Sequence, residues 1–437
     1  MNANDVVERA LAAVRADDAR ASLTSTRRGW VRFGADEIRA IGETEERALT
    51  IEASIGRRRG SAQGNDLRDD AVRALAERAV AAARLAPEDP EHVETLGPQE
   101  RLDTRPLDPS TDHLDPAERA RVARGAIDAA RREGLHAAGY VETLATEYVL
   151  ATAHGLRADE KRTAATYTVT MRTPDGTGSG WGASQAVAFD ELATAQTTDR
   201  AVRHAIASHA PEAIEPGTYP VVLEPDALAD LVHNLVFAMG AREAEEGRSF
   251  ASKPGGGTRA GERLFSPLVT IATDPVAMRE PSFDGDGLPI RPSTWVRDGA
   301  IDHLWVTRSW ARKTGVEPVP RPTAIRMRGG AATLDELLAP IERGLYVPRI
   351  HYIRPVDPRN VLLTGMTRDG VRLIEKGKLG PAVKNLRWTQ SVVDLLAAIE
   401  AVGATRRLVT YEFEDSPIEI PAVRASAFRF TGVSDSV

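Results

Sequence analysis

Apolar side chains at Val6, Val7, Ala10, Leu11 and Val14 recur with helical spacing and predict a helix at the start of the chain. Positions 30–33 and 48–55 alternate apolar with polar, as strands with one buried face do. A turn over 57–60 and a small-residue stretch over 60–64 follow. Residues 67–85 carry Val72, Leu75, Ala79, Val80 and Ala83 on one face, the pattern of a long helix that stops before Pro87. Residues 86–114 hold five prolines and little periodicity, which predicts a loop. A helix then starts at Asp115-Pro116, with proline in its first turn, and runs to about 132. Residues 141–153 and 163–173 read as an antiparallel strand pair, and 166–171 alternate cleanly. Another helix is expected over 189–208, and a proline-bounded linker over 211–220.

The texture changes after Tyr219. Val221, Val222 and Leu223 form a short buried strand. Asp226 is expected to cap a helix reaching Met239, with Leu228, Leu231, Val232, Leu235 and Met239 on its apolar face. Short strand candidates follow at 268–271, 305–307, 361–365 and 371–374, with helices over 334–343 and 391–402. The fold class is therefore α+β. Residues 1–215 form an N-terminal α+β domain with sub-parts about 1–90 and 115–210, and residues 216–437 form a β-rich C-terminal domain with a few helices.

Composition narrows the function. Hydrophobic residues at 42% and charged residues at 27% exclude wholesale disorder and a membrane-embedded chain. A formal charge of -7 gives no global attraction to nucleic acid or anionic lipid. With no cysteine there is no disulfide, no thiolate metal ligand and no thiol nucleophile. The first residues do not read as a signal peptide, and the most apolar stretch, 228–241, is short and carries Asp230, His233 and Asn234. A cytoplasmic protein is expected.

Recognisable motifs are few. Gly178, Gly180 and Ala183 match a dinucleotide fingerprint, but the preceding strands alternate like an antiparallel pair, so a flexible turn is expected. The stretch 253–258 resembles a phosphate loop without its Gly-Lys-Ser/Thr ending and reads as a mobile loop. Asp284-Gly285-Asp286-Gly287 opens like a calcium loop, but Trp295 stands where a ligating Glu belongs, so a tight acidic turn is expected. His204 and His209 fit a solvated helix end. No serine-hydrolase elbow and no metal-type histidine pair occur. Residue chemistry alone shows no legible catalytic centre.

Several segments, taken in order, resemble the TldD/PmbA family, and its TldE (PmbA) branch in particular. They are 31–38, 51–64, the helix after Leu67, 217–223, 247–250, 283–289, 363–370, 374–379 and 385–391. The resemblance implies a peptidase-like C-terminal domain and a heterodimeric zinc metalloprotease. In that family the TldD subunit holds zinc on a His-Glu-x-x-x-His helix with a downstream cysteine, an open position activating water. The matching helix here reads His233-Asn234-Leu235-Val236-Phe237-Ala238 and keeps the first His alone. No catalytic or metal residue is therefore carried over. The implied protein is a non-catalytic TldE-like subunit with no cofactor of its own. It pairs with a zinc-bearing TldD-like subunit and acts on unfolded or leader peptide, with no nucleic acid and no membrane involved. The alternative is a non-enzymatic, homodimeric peptide-binding or modulator protein. A third reading is an enzyme built on His233, His351 and acids such as Glu243 or Glu245. Candidate substrate-groove residues are His233, Asn234, Ser249, Tyr352 and Arg354, taken from the site helix and an aromatic-basic strand.

Overall fold

The computed structural model describes residues 2–410 and 417–434. The first half begins with α1 (Ala3–Ala13), then the long strands β1 (Asp18–Gly34) and β2 (Glu37–Ile55), and β3 (Arg58–Gly64). Helix α2 (Asp69–Leu85), one turn α3 (Pro109–Asp112) and α4 (Pro116–Arg132) follow. Strands β4 (His136–Thr152), β5 (Arg157–Arg172) and β6 (Ser179–Ala186) precede α5 (Thr194–Ala207). The six strands make one antiparallel sheet in the order β3-β2-β1-β4-β5-β6.

Period-two alternation gives this sheet two unlike faces. Leu23, Leu49, Ile51 and Val149 point to α1 and α2, whereas Val31, Val141, Tyr167 and Val169 point to α4 and α5. The other face presents Thr24, Thr26, Thr44, Thr146, Thr166 and Thr168. The strands are much longer than their apolar segments suggest, because stretches such as 24–29 and 42–47 hold no apolar side chain and give no burial signal.

The second half opens with β7 (Thr218–Leu223), α6 (Pro225–Phe237) and α7 (Ala241–Glu245), then β8 (Ile271–Thr273), α8 (Pro275–Met278), β9 (Ser293–Arg297) and β10 (Ala300–Ile301). Helix α9 (Arg308–Thr314), β11 (Ile325–Met327), α10 (Leu334–Leu338), β12 (Arg343–Val347) and β13 (Arg349–Asp357) come next. The chain continues through β14 (Leu362–Arg368), β15 (Arg372–Glu375), β16 (Lys378–Ala382), β17 (Leu386–Ser391), α11 (Val392–Ala397), β18 (Ile399–Val409) and β19 (Pro417–Val433). Strand β19 is the hub, pairing with β7, β11, β17 and β18. Helix α6 lies inside this wrap of strands, with Leu228, Leu231, Val232, Leu235 and Val236 fully buried in the largest core.

Several sequence expectations change here: the helix expected over 334–343 ends at Leu338, and no strand forms over 305–307. The glycine motif at 178–183 is part of edge strand β6, not a flexible turn. A Cβ on Gly180 would lie 2.0 Å from the Ala201 carbonyl oxygen, so glycine lets α5 close onto the strand. The helix expected over 391–402 ends at Ala397, and β18 takes over at Ile399, because residues 399–409 pair with β19. The turn at Asp284 holds: its carboxylate accepts from the Asp286 and Leu288 backbone N–H groups at 2.9 Å each.

The glycine reading is testable. Gly180→Ala should lower unfolding free energy by about 1–3 kcal/mol through overpacking. Gly125→Ala should change stability little or raise it by up to about 1 kcal/mol, since nothing lies within 4 Å of a Cβ at that site on α4. Paired denaturant melts decide it, and equal stability for both variants would refute the close-packing role.

Candidate functional site

Helix α6 stands where the zinc helix is expected. Its N-cap is Glu224, with Pro225 in the first turn, rather than Asp226 as the sequence pattern predicts. Asp226 instead forms an ion pair with Arg406 of β18. Glu224 accepts from the Tyr346 hydroxyl at 2.7 Å, and that hydroxyl lies 3.0 Å from His204 Nε2 on α5. Burial works to lower the Arg406 pKa, but Asp226 and Glu224 outweigh it and hold the guanidinium charged. Burial and Glu224 push the Tyr346 hydroxyl well up, and burial pushes His204 down. His204 is thus a junction residue between the two halves, not a solvated helix end, whereas His209 is exposed beside Asp175 at 3.0 Å.

One turn before the C-terminus of α6, His233 is 1% exposed. Its ring packs on Phe237 with centroids 5.0 Å apart. Burial alone depresses its pKa from 6.5 to about 4, so the ring is neutral at pH 7. Asn234 is half-buried and donates its amide to the Asp230 carbonyl at 2.8 Å. Ser249 is buried, donates to the Ala238 carbonyl at 3.0 Å and so ties the loop after α7 to the end of α6.

Tyr352 and Arg354 lie elsewhere, on β13. Tyr352 has φ 57° at a bulge against β14, which turns its ring outward, and it is 54% exposed. Arg354 stacks on that ring at 4.4 Å. The structure therefore groups His233, Asn234 and Ser249 around the end of α6 and sets Tyr352 and Arg354 on an exposed strand.

Asn234 is committed to its own helix, position 238 is alanine, and the chain holds no cysteine. Among the described residues no three His, Asp or Glu side chains converge as a metal site. The α6 residues do not fit a catalytic zinc, which needs about three protein ligands and an open position.

A cleft of about 730 Å³ lies between the threonine face of the first sheet and the second half. None of the five sequence candidates lines it. Its walls carry the hydroxyls of Thr24, Thr26, Thr44, Thr146, Thr166 and Thr168. At one end Arg28 pairs with Glu142 and donates to the Tyr140 hydroxyl at 2.8 Å. Burial and Glu142 push that hydroxyl up to about 12. At the other end Arg349 stacks on Trp181 at 3.9 Å and pairs with Asp369 at 2.6 Å. Glu280 lines the floor and pairs with Arg407 at 2.6 Å, and Arg407 also donates to Gln185 of β6 at 2.6 Å. Burial lifts the Glu280 pKa to about 7 despite Arg407. Sequence reasoning missed the cleft, although the Thr166–Thr168–Thr170 alternation marked a polar sheet face.

The fold and site thus define a two-domain α+β protein whose second domain is of metallopeptidase type: residues 216–432 match the model of the PmbA/TldA metallopeptidase C-terminal domain. The chain belongs to the TldD/PmbA family. It is 28% identical over 221 residues to the metalloprotease TldD homolog of Haemophilus influenzae, covering 46% of this chain and 44% of that protein. It is 26% identical over 231 residues to a metalloprotease of Methanothermobacter thermautotrophicus, covering 49% and 48%. The matches thus span about half the length of these curated relatives. The crystal structure of TldE from Thermococcus kodakarensis superposes with a TM-score of 0.86 at 17% identity, covering 98% of this chain and 99% of that one, which shows a shared fold. Among the described residues no helix is long and apolar enough to cross a membrane.

The buried imidazole has a measurable signature. In the unfolded chain His233 titrates at about 6.5, and in the fold at about 4. Between those values the unfolded state binds more protons, so stability contributed by neutral His233 is lost as pH falls from 6.5 towards 4. The full loss is about 3 kcal/mol (2.5 pH units at roughly 1.4 kcal/mol each). Denaturant melts across pH 4–7 should show this loss in the wild type and not in His233→Leu. Parallel profiles for the two proteins would contradict it.

Glu280 acts in the opposite direction. Its folded pKa of about 7 exceeds the ordinary 4.5, so stability present below 4.5 is lost as pH rises through 7. Glu280→Gln should remove that loss in the same melts.

Proposed function

We propose that this chain is the non-catalytic, TldE-like subunit of a two-subunit zinc metalloprotease that cleaves unfolded or leader peptides. The zinc belongs to a TldD-like partner subunit. One observation carries the reading: the helix at the zinc-helix position is buried on all sides and offers one neutral imidazole, His233, packed on Phe237. At the position of the family's glutamate base stands Asn234, whose amide cannot take up a proton and is held by the Asp230 carbonyl.

This chain's contribution is to hold substrate. The cleft is lined by hydroxyls with charged groups among them, which suits an extended main chain whose carbonyl and N–H groups need partners. Side-chain hydroxyls contact the main chain rather than particular side chains, so sequence preference is low. Tyr352 and Arg354 on β13 offer a second surface, where main-chain pairing by strand addition can extend the grip.

Elemental mass spectrometry of the chain expressed alone, without a metal-affinity tag, should find less than about a tenth of a zinc per chain, since a catalytic site needs about three ligands. Co-expressed with a TldD-like chain, it should form a complex whose peptidase activity disappears when the partner's zinc helix is mutated. Thr166→Arg, which fills the cleft, should lower kcat/KM about tenfold, roughly 1.4 kcal/mol, without dissolving the complex. Near-stoichiometric zinc in the isolated chain, or full activity from the partner alone, would overturn the reading. A stable homodimer that ignores the partner would favour a peptide-binding modulator instead.

A further inference from the structure

A second concavity, a groove of about 1110 Å³, runs between the β2–β3 turn, the segment 92–96 and α9 with the chain after it. It shares no lining residue with the cleft. Three guanidinium groups line it. Arg57 donates to the Asp89 carbonyl at 3.1 Å and to the Pro90 carbonyl, and makes no ion pair among the described residues. Arg312 is exposed and makes neither an ion pair nor a hydrogen bond among the described residues. Arg308 donates to the Glu94 carbonyl, and its nearest carboxylate, Asp286 at 3.9 Å, is also held by Arg20. The one carboxylate in the lining, Glu94, lies 3.8 Å from His154.

This concentration of positive charge stands out in a chain of net charge -7. Elsewhere arginines such as Arg326 and Arg406 lie directly against carboxylates. A second observation points to a ligand. His92 lines the groove, is only 8% exposed, and its Nδ1 has no hydrogen-bond partner among the described residues. A buried polar atom of this kind is normally satisfied, and a bound donor or acceptor would satisfy it. The walls between the charges are apolar: Val93, Leu96, Val316 and Pro318, with Val316 52% exposed.

We propose that this groove binds an acidic peptide segment that also carries apolar side chains. Its carboxylates lie against Arg57, Arg308 and Arg312, its apolar groups against Leu96 and Val316, and its main chain reaches His92. Guanidinium groups suit carboxylates because their donors form a planar fork that matches the two oxygens. A free inorganic anion would satisfy the charges and leave the apolar walls unused.

The test is fluorescence anisotropy with the full chain and three labelled peptides of about ten residues, the length of an extended segment. One alternates Glu with Leu, one Ser with Leu, and one Glu with Ser. The Glu-Leu peptide should bind about tenfold tighter than either other peptide and weaken as salt rises, as screened charge pairs do. Arg312→Glu, at an exposed side chain with no fold contacts to lose, should weaken it about tenfold, the equivalent of roughly 1.4 kcal/mol. Equal affinity for the Glu-Leu and Ser-Leu peptides, or no effect of Arg312→Glu, would overturn the proposal. Full affinity for the Glu-Ser peptide, displaced by inorganic phosphate, would mark a small-anion site and overturn it too. Thr166→Arg separates this groove from the cleft: if that substitution abolishes binding, the peptide sits in the cleft and the groove proposal falls.

Discussion

The burial of α6 constrains everything around it. A helix enclosed on all sides can keep only polar groups that find partners inside, because leaving one unsatisfied costs about 1–3 kcal/mol. Its apolar residues therefore run around the whole circumference rather than along one stripe. Apart from the buried Asp230 and His233, its polar groups sit near the ends. Glu224 and Asp226 meet Tyr346 and Arg406 at the N-terminus, and Asn234 turns back onto the helix near the C-terminus. His233 is neutral because the same enclosure excludes the water that would solvate its cation. A hydrolytic centre needs an open position for water. The enclosure that stabilises this domain is incompatible with one here.

The first sheet is built on the opposite principle. One face is sealed by four helices, and the other stays wet and hydroxyl-lined. The two halves meet through an apolar cluster around Phe283, ion pairs such as Arg20–Asp286 and Arg242–Glu91, and buried polar groups. Arg407 reaches Gln185 and Glu280, His204 reaches Tyr346, and Asp369 links Arg349 to Ser179. Burial dominates the titration of Glu280 even with a guanidinium at 2.6 Å, as expected where desolvation exceeds the Coulombic gain. These contacts fix how the cleft is shaped more than how strongly the halves adhere.

Much of this was legible in the sequence. Helices such as α2 and α4 follow from apolar spacing, and their boundaries fall within two residues of the pattern. The long hairpins were under-read because stretches such as 24–29 and 42–47 hold no apolar side chain and carry no burial signal. The glycines of β6 looked like a loop because small residues signal turns as readily as close helix approach. The β18 stretch reads as helix locally and becomes strand only through β19, a tertiary partner that sequence periodicity does not encode. The site was legible only as a deficit: the resemblance located His233 and the missing ligands. The cleft and the cationic groove are assembled from residues hundreds of positions apart, and no local pattern announces either.

The two-faced sheet also bears on how the protein is made. Residues 3–207, with both helix layers, leave the ribosome before α6 or β19 exists. A sheet with two apolar faces would have to wait, half-naked, for its cover. This one turns mostly threonines toward the missing half, with one apolar patch at Leu150, Leu156 and Ala158 that Phe283 later covers. The first domain can therefore close its own core during synthesis and present a largely hydrated face. The later half, whose central helix is enclosed by its own strands, is then laid against that face.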